Sequence, residues 1–195
     1  MPAPTLSRRW RSCEGGHPLP NQASLSAATE VFGLLQRANE ERALIVFLIS
    51  GGGSAMLEWP LNEDITLADL RAVNQALVKC GASISEINAI RRAFSAVKGG
   101  RLATRAPACD QITLIVSDVP AGEEHNVASG PTLMPPVNAP HALEVIDRYG
   151  LLDQLPDTIV RAIENDSGSA RNDSRPLRRH FVLLDNQSAL EAAAA

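Results

Sequence analysis

The sequence predicts an α/β protein, a three-layer α/β/α sandwich of Rossmann-like type with a mostly parallel, incomplete sheet. Short apolar runs at 43–49, 112–116 and 181–184, continuous but for Thr113, alternate with segments of helical period, the pattern of an alternating α/β chain. Continuous apolarity is what a strand buried on both faces requires, as parallel strands are. Three strands are few for such a sheet, and a helix is still in progress at Ala195, so the expected unit is part of a domain.

Each element has a local reason. After Asn21, residues Ala28, Val31, Phe32, Leu35 and Ala38 recur at helical spacing ahead of the first strand. Thr66 and Asp69 form a capping-box pair that opens a helix with Leu67, Leu70, Val73 and Leu77 inward, and Gly81 is its stop. Ser83 and Glu86 open another, with Ile84, Ile87, Ile90, Phe94 and Val97 on one face and Gly99-Gly100 as its end. The Gly- and Pro-rich stretch 118–140 has neither period. Helices are expected at 140–149, closed by Gly150, and at 156–165, opened by Pro156. Polar residues 166–176 read as a flexible loop, and a helix capped by Asn186 follows the third strand.

Composition narrows the function classes. Apolar residues make up 45% of the 195 and charged residues 21%, ordinary for a globular domain. A formal charge of -4, with no basic excess, speaks against nucleic acid, and no apolar run approaches a membrane span. Cys13, Cys80 and Cys109 lie far apart without a CxxC pair, which fits reduced thiols in a cytoplasmic protein. Arg8, Arg9 and Arg11 precede no apolar segment of the secretory kind.

In open α/β sheets, ligands bind beyond the carboxyl ends of the strands. Ser50, Gly51, Gly52, Gly53 and Ser54 stand there after the first strand. Consecutive glycines let a backbone turn several N–H groups toward an anion, though the same residues also make a tight turn that binds nothing. No Lys-Ser/Thr follows, so this is not a Walker loop, and Met56 stands where a dinucleotide loop needs its third glycine. Asp118 follows the second strand; its carboxylate could hold Mg²⁺, accept a proton or cap the next turn. Ser129, Gly130 and Thr132 form a second small-residue loop. Asn88, Arg91, Ser95 and Lys98 share a helical stripe that leads into Gly99-Gly100-Arg101; cations here suit phosphoryl transfer or simply complement a helix dipole. His17 lies in a Pro-rich turn, as a polar contact or a structural residue.

Together these stretches resemble the type 2 glycerate kinase family. The matching motifs are GHPLP at 16–20, LISGGGSAML at 48–57, GASISEINAIRRAFSAVKGGRLA at 81–103, SDV at 117–119, ASGPT at 128–132 and, more weakly, DN at 185–186, in family order. The resemblance implies transfer of the ATP γ-phosphate to the 2-hydroxyl of D-glycerate with Mg²⁺, in a cleft between a Rossmann-like domain and a smaller C-terminal domain. For in-line phosphoryl transfer of this kind the catalytic candidates are Lys98 and Arg101, to offset charge, and Asp118, at the acceptor hydroxyl or the metal. Ser50 to Ser54, Asn88, Arg91, Ser129, Gly130, Thr132 and His17 fall to substrate and phosphate.

On this reading residues 1–15 are unrelated or disordered, residues 16–195 are a partial N-terminal domain, and a homodimer is allowed. The family's N-terminal glycine-rich stretch with a functional lysine and its C-terminal domain have no counterpart here. Where it often shows Gly-Asp-Asp, this chain has Ala121-Gly122-Glu123-Glu124. A hydroxypyruvate reductase, a label the family has carried, and a non-catalytic remnant binding nucleotide or phosphate are the alternatives.

Overall fold

A computed structural model describes residues 10–166 and 177–194. Helix α1 (Gln22–Glu41) leads into strand β1 (Ile45–Ser50), and a single 3₁₀ turn, Gly53–Ala55, follows it. Helices α2 (Leu67–Lys79), α3 (Ile84–Phe94) and the short α4 (Arg101–Thr104) precede β2 (Gln111–Val116). A 3₁₀ segment, Glu124–Ser129, comes before α5 (Ala142–Arg148) and α6 (Asp157–Glu164), then β3 (Arg178–Leu184) and α7 (Asn186–Ala194). The strands run parallel in the order β1-β2-β3, with Leu48 opposite Leu114 and Leu114 opposite Phe181. The small parallel sheet of three strands among the described residues and its helices agree with the expected α/β class. Most of the expected 166–176 loop lies outside the described residues.

The helix starts follow the sequence closely, because caps are local chemistry. Asn21, Thr66 and Ser83 each accept from the backbone N–H three residues on, and that third residue's side chain reaches back. Asp185 rather than Asn186 caps α7, its Oδ1 accepting from the Ser188 N–H at 2.8 Å.

Two large apolar clusters and a small one of Ile115, Val119 and Val127 organise the chain. Alternate residues of β1 face α1 and α4, where Phe47, Leu35, Val97 and Leu102 pack. A second cluster joins α2, α3, α5 and α6 through Leu70, Ile90, Phe94, Val145 and Ile159. β1 is therefore buried on one face, not two. Val46, Leu48, Val116, Phe181 and Leu184 line the other face, exposed among the described residues.

Helix α3 ends at Phe94, five residues before Gly99. Ser95 turns extended and pairs antiparallel with Pro60, while the Ala96 N–H donates to the Trp59 carbonyl at 2.8 Å. Val97 consequently joins the sheet's core rather than that of α3. The stripe expected to run from Asn88 to Lys98 is broken at this bend.

Candidate functional site

The carboxyl ends of β1 and β2 lie side by side, Ser50 opposite Val116, so the chain segments leaving them meet. Gly51 abuts Asp118 so closely that a Cβ there would overlap the carboxylate. Gly52 adopts φ 77°, the left-handed region open to glycine, and nothing lies within 4 Å of where its Cβ would be. The loop thus has one glycine for close approach and one for backbone shape with free space above it.

A cleft of about 200 Å³ opens over this loop. It is lined by His17, Gly52, Ser54, Asn88, Arg91, Asp118 and Ser129 among others. A hydroxyl–amide chain fixes its floor. Ser54 Oγ and Ser129 Oγ are 2.7 Å apart, Ser129 Oγ donates to Asn88 Oδ1 at 2.7 Å, and Asn88 Nδ2 donates to the Asn126 carbonyl at 3.2 Å. Arg91 Nε donates to Asn74 Oδ1 at 3.0 Å, which aims its guanidinium. Burial pulls Arg91 below the usual arginine range, and the Glu58 carboxylate opposes that.

Lys98 and Arg101 do not line this cleft. Lys98 is 1% exposed and lies beneath the loop. Its Nζ donates to Glu58 Oε2 at 2.6 Å and to the Ser54 carbonyl at 2.8 Å. Burial lowers the pKa of the ammonium, and Glu58 counteracts this. Glu58, 1% exposed, also accepts from Ser95 Oγ at 2.5 Å and from the Trp59 N–H at 3.0 Å. Arg101 turns to the end of α3, donating to the carbonyls of Arg92 and Ser95, and pairs with Asp166 at 2.8 Å. Unfilled carbonyls at a helix end attract such a cation.

Of the remaining expected residues, Ser50 ends β1, and Gly53 begins the 3₁₀ turn beside the cleft. Gly130 accepts from the Gly100 N–H at 2.7 Å, and Thr132 is half-buried, both outside the cleft lining. Glu123 and Glu124 stay local, bonded to Asn126 Nδ2 and the Gly122 N–H. Sequence reasoning missed Glu58, Asn74 and Asn126. The available signal for Glu58 was a lone acid in an otherwise apolar stretch, Met56-Leu57-Glu58-Trp59.

Comparison with known proteins adds the kinship. The family described as Domain of unknown function (DUF4147) matches residues 2–164, a span that includes the segment ahead of Gly16. An Agrobacterium vitis protein, provisionally named a hydroxypyruvate reductase, is 40% identical over 97% of this chain and 48% of its own length. A glycerate 2-kinase of Pyrococcus horikoshii is 35% identical over 96% of this chain and 43% of its own. The crystal structure of a glycerate kinase from Thermotoga maritima superposes with a TM-score of 0.76 at 32% identity, covering 92% of this chain and 42% of that one. The chain thus spans less than half the length of these relatives. Its motifs, its parallel sheet and these matches agree: the chain belongs to the DUF4147 family and is a relative of the glycerate 2-kinases.

Proposed function

We propose that this chain supplies the glycine-loop wall of a glycerate 2-kinase site, where the γ-phosphate of ATP passes to the 2-hydroxyl of D-glycerate. The supporting observation is the convergence of Arg91, Asp118 and the Ser54–Ser129–Asn88 chain on one small cleft beyond two parallel strands. A volume of about 200 Å³ suits a small hydroxy acid and is small for a whole nucleotide.

In this reading Arg91 binds the glycerate carboxylate through its planar fork. The Gly52–Ser54 backbone and Ser129 orient the acid, and Asp118 faces the acceptor hydroxyl or the metal. Among the described residues no three ligating side chains cluster. Asp118 nevertheless fits Mg²⁺ as that ion is usually held, by one or two carboxylates and the substrate's phosphates. When bound, magnesium neutralises charge developing on the phosphates. Lys98 acts here as a positioning residue, since its ammonium supports the Ser54 carbonyl. A cytoplasmic setting and a homodimer belong to the same proposal.

The Agrobacterium relative's name favours a second reading, hydroxypyruvate reduction. Against it stands Met56, where a dinucleotide loop requires glycine.

The test has a binding and a turnover arm. Calorimetric titration should show D-glycerate binding to this protein and losing roughly tenfold or more affinity in Arg91→Met. A chimera carrying residues 16–164 in place of the matching part of the Thermotoga kinase should form 2-phosphoglycerate from ATP and D-glycerate. Folded proteins that bind no glycerate, or a chimera that oxidises NADH with hydroxypyruvate instead, would overturn the proposal.

A further inference from the structure

A second, larger cleft of about 580 Å³ lies on the other flank of α3, lined by Arg92, Gly99, Met134, Pro136, Val137 and His141 among others, and by the Arg101–Asp166 ion pair. It contains none of the residues lining the glycine-loop cleft. Its unusual feature is Arg92. This side chain is only 6% exposed, yet its single hydrogen bond among the described residues runs from Nη1 to Asn126 Oδ1 at 3.4 Å. That acceptor is a neutral amide and already serves Asn88 Nδ2 at 3.3 Å.

The neighbouring cations are provided for in ways that Arg92 is not. Lys98 has Glu58, and Arg101 has Asp166. Arg91 has Asn74 and the field of Glu58. Arg92 instead faces a like charge. Burial, then the nearby Arg101 guanidinium, pull it down to about 10. A buried cation without an anion is costly, so its surroundings call for one. The cleft wall is also shaped around it. Gly99 has φ 63°, and a Cβ there would press on Arg92 Cδ at 3.0 Å.

We propose that this cleft binds a small organic oxyanion, its phosphoryl or carboxylate group on Arg92 and its apolar part against Met134 and Pro136. A guanidinium fork matches either oxyanion through paired N–H donors. The site is separate from the proposed glycerate site and does not depend on that reading.

The experiment is amide-resolved NMR of the isotope-labelled protein titrated with inorganic phosphate, and separately with acetate. Phosphate, acetate or both should shift the amides of Gly99, Val137 and His141 saturably. Arg92→Met should weaken that binding roughly tenfold or more. Val137→Glu, which places a negative charge at a position 84% exposed, should weaken it without burying anything. Arg91→Met, in the other cleft, should leave it intact. If Arg92→Met fails to fold, Val137→Glu decides. Shifts confined to Gly52, Gly53 and Ser54, or none with either anion, would overturn this proposal while leaving the glycerate reading to its own test. Binding at Gly99 that neither Arg92→Met nor Val137→Glu weakens would overturn it too.

Discussion

The Lys98 ammonium lies 2.6 Å from Glu58 Oε2 and 2.8 Å from the Ser54 carbonyl oxygen, so one buried cation joins the glycine loop to the bend after α3. Both side chains of the ion pair are 2% exposed. Removing one partner strands the other's charge in the interior, which typically costs about 3–5 kcal/mol. Lys98→Met and Glu58→Gln should therefore each lower the denaturant midpoint sharply. The double variant Lys98→Met/Glu58→Leu should recover most of the loss. Single variants as stable as the parent would show that the pair is not a structural tie.

Glu86 governs a pH response. Its carboxylate accepts from the Ser83 backbone N–H and hydroxyl and from Tyr149, and Arg148 lies 2.5 Å away. These bonds, with Ser83 first, lower its pKa from 4.5 to about 2. A depressed carboxylate contributes its full stabilisation above the unfolded value and loses it as pH falls toward the folded one. The melting temperature should thus fall between about pH 4.5 and pH 2 more steeply in the parent than in Glu86→Gln. Parallel profiles would exclude Glu86 as the source.

The two leading loop glycines should fail differently. Gly52→Ala meets no neighbour but must hold a left-handed backbone, which costs about 1–2 kcal/mol. Gly51→Ala meets the end of the exposed Asp118 side chain, which can swing aside, so its stability cost should be under about 1 kcal/mol. In the chimera, Gly51→Ala should depress turnover by displacing Asp118, despite its milder effect on folding. Thermal melts alongside initial rates separate the two outcomes.

Arg101→Met should behave as a stability variant. Its donors are spent on the carbonyls of Arg92 and Ser95 and on Asp166. Losing charge-assisted bonds of this kind costs about 1.5–3 kcal/mol. D-glycerate affinity, measured calorimetrically below the melting transition, should stay within error of the parent. A selective loss of glycerate binding would return Arg101 to the catalytic role that its motif suggests.

What could be read from the sequence was what is decided locally. The capping boxes at Thr66 and Ser83 depend on residues three apart, and the three strands stand out as apolar runs. The end of α3 was not local. Ser95 leaves the helix where Trp59 and Pro60 offer backbone partners and the Glu58 carboxylate accepts its hydroxyl, contacts no helical pattern encodes. The cleft showed the same division. Glycine content marked the loop, and Asn88 and Arg91, three residues apart on α3, both line the cleft. Carrying that spacing on to Lys98 assumed a straight helix, and the bend sends its side chain under the loop. The exposed face of β1 could not be foreseen either, since an apolar run does not reveal which of its sides finds a neighbour.

The burial of Lys98 has a chemical consequence. Lys79 and Lys98 are the two lysines of the sequence, and Lys79 stands exposed near the end of α2. An acylating reagent should consume Lys79 at the pace of a free amine. It reaches Lys98 only when the loop at Ser54 parts from the bend at Ser95. The ratio of the two labelling rates, followed by peptide mass spectrometry, would then time the opening of the glycine loop with a reporter already built into the chain.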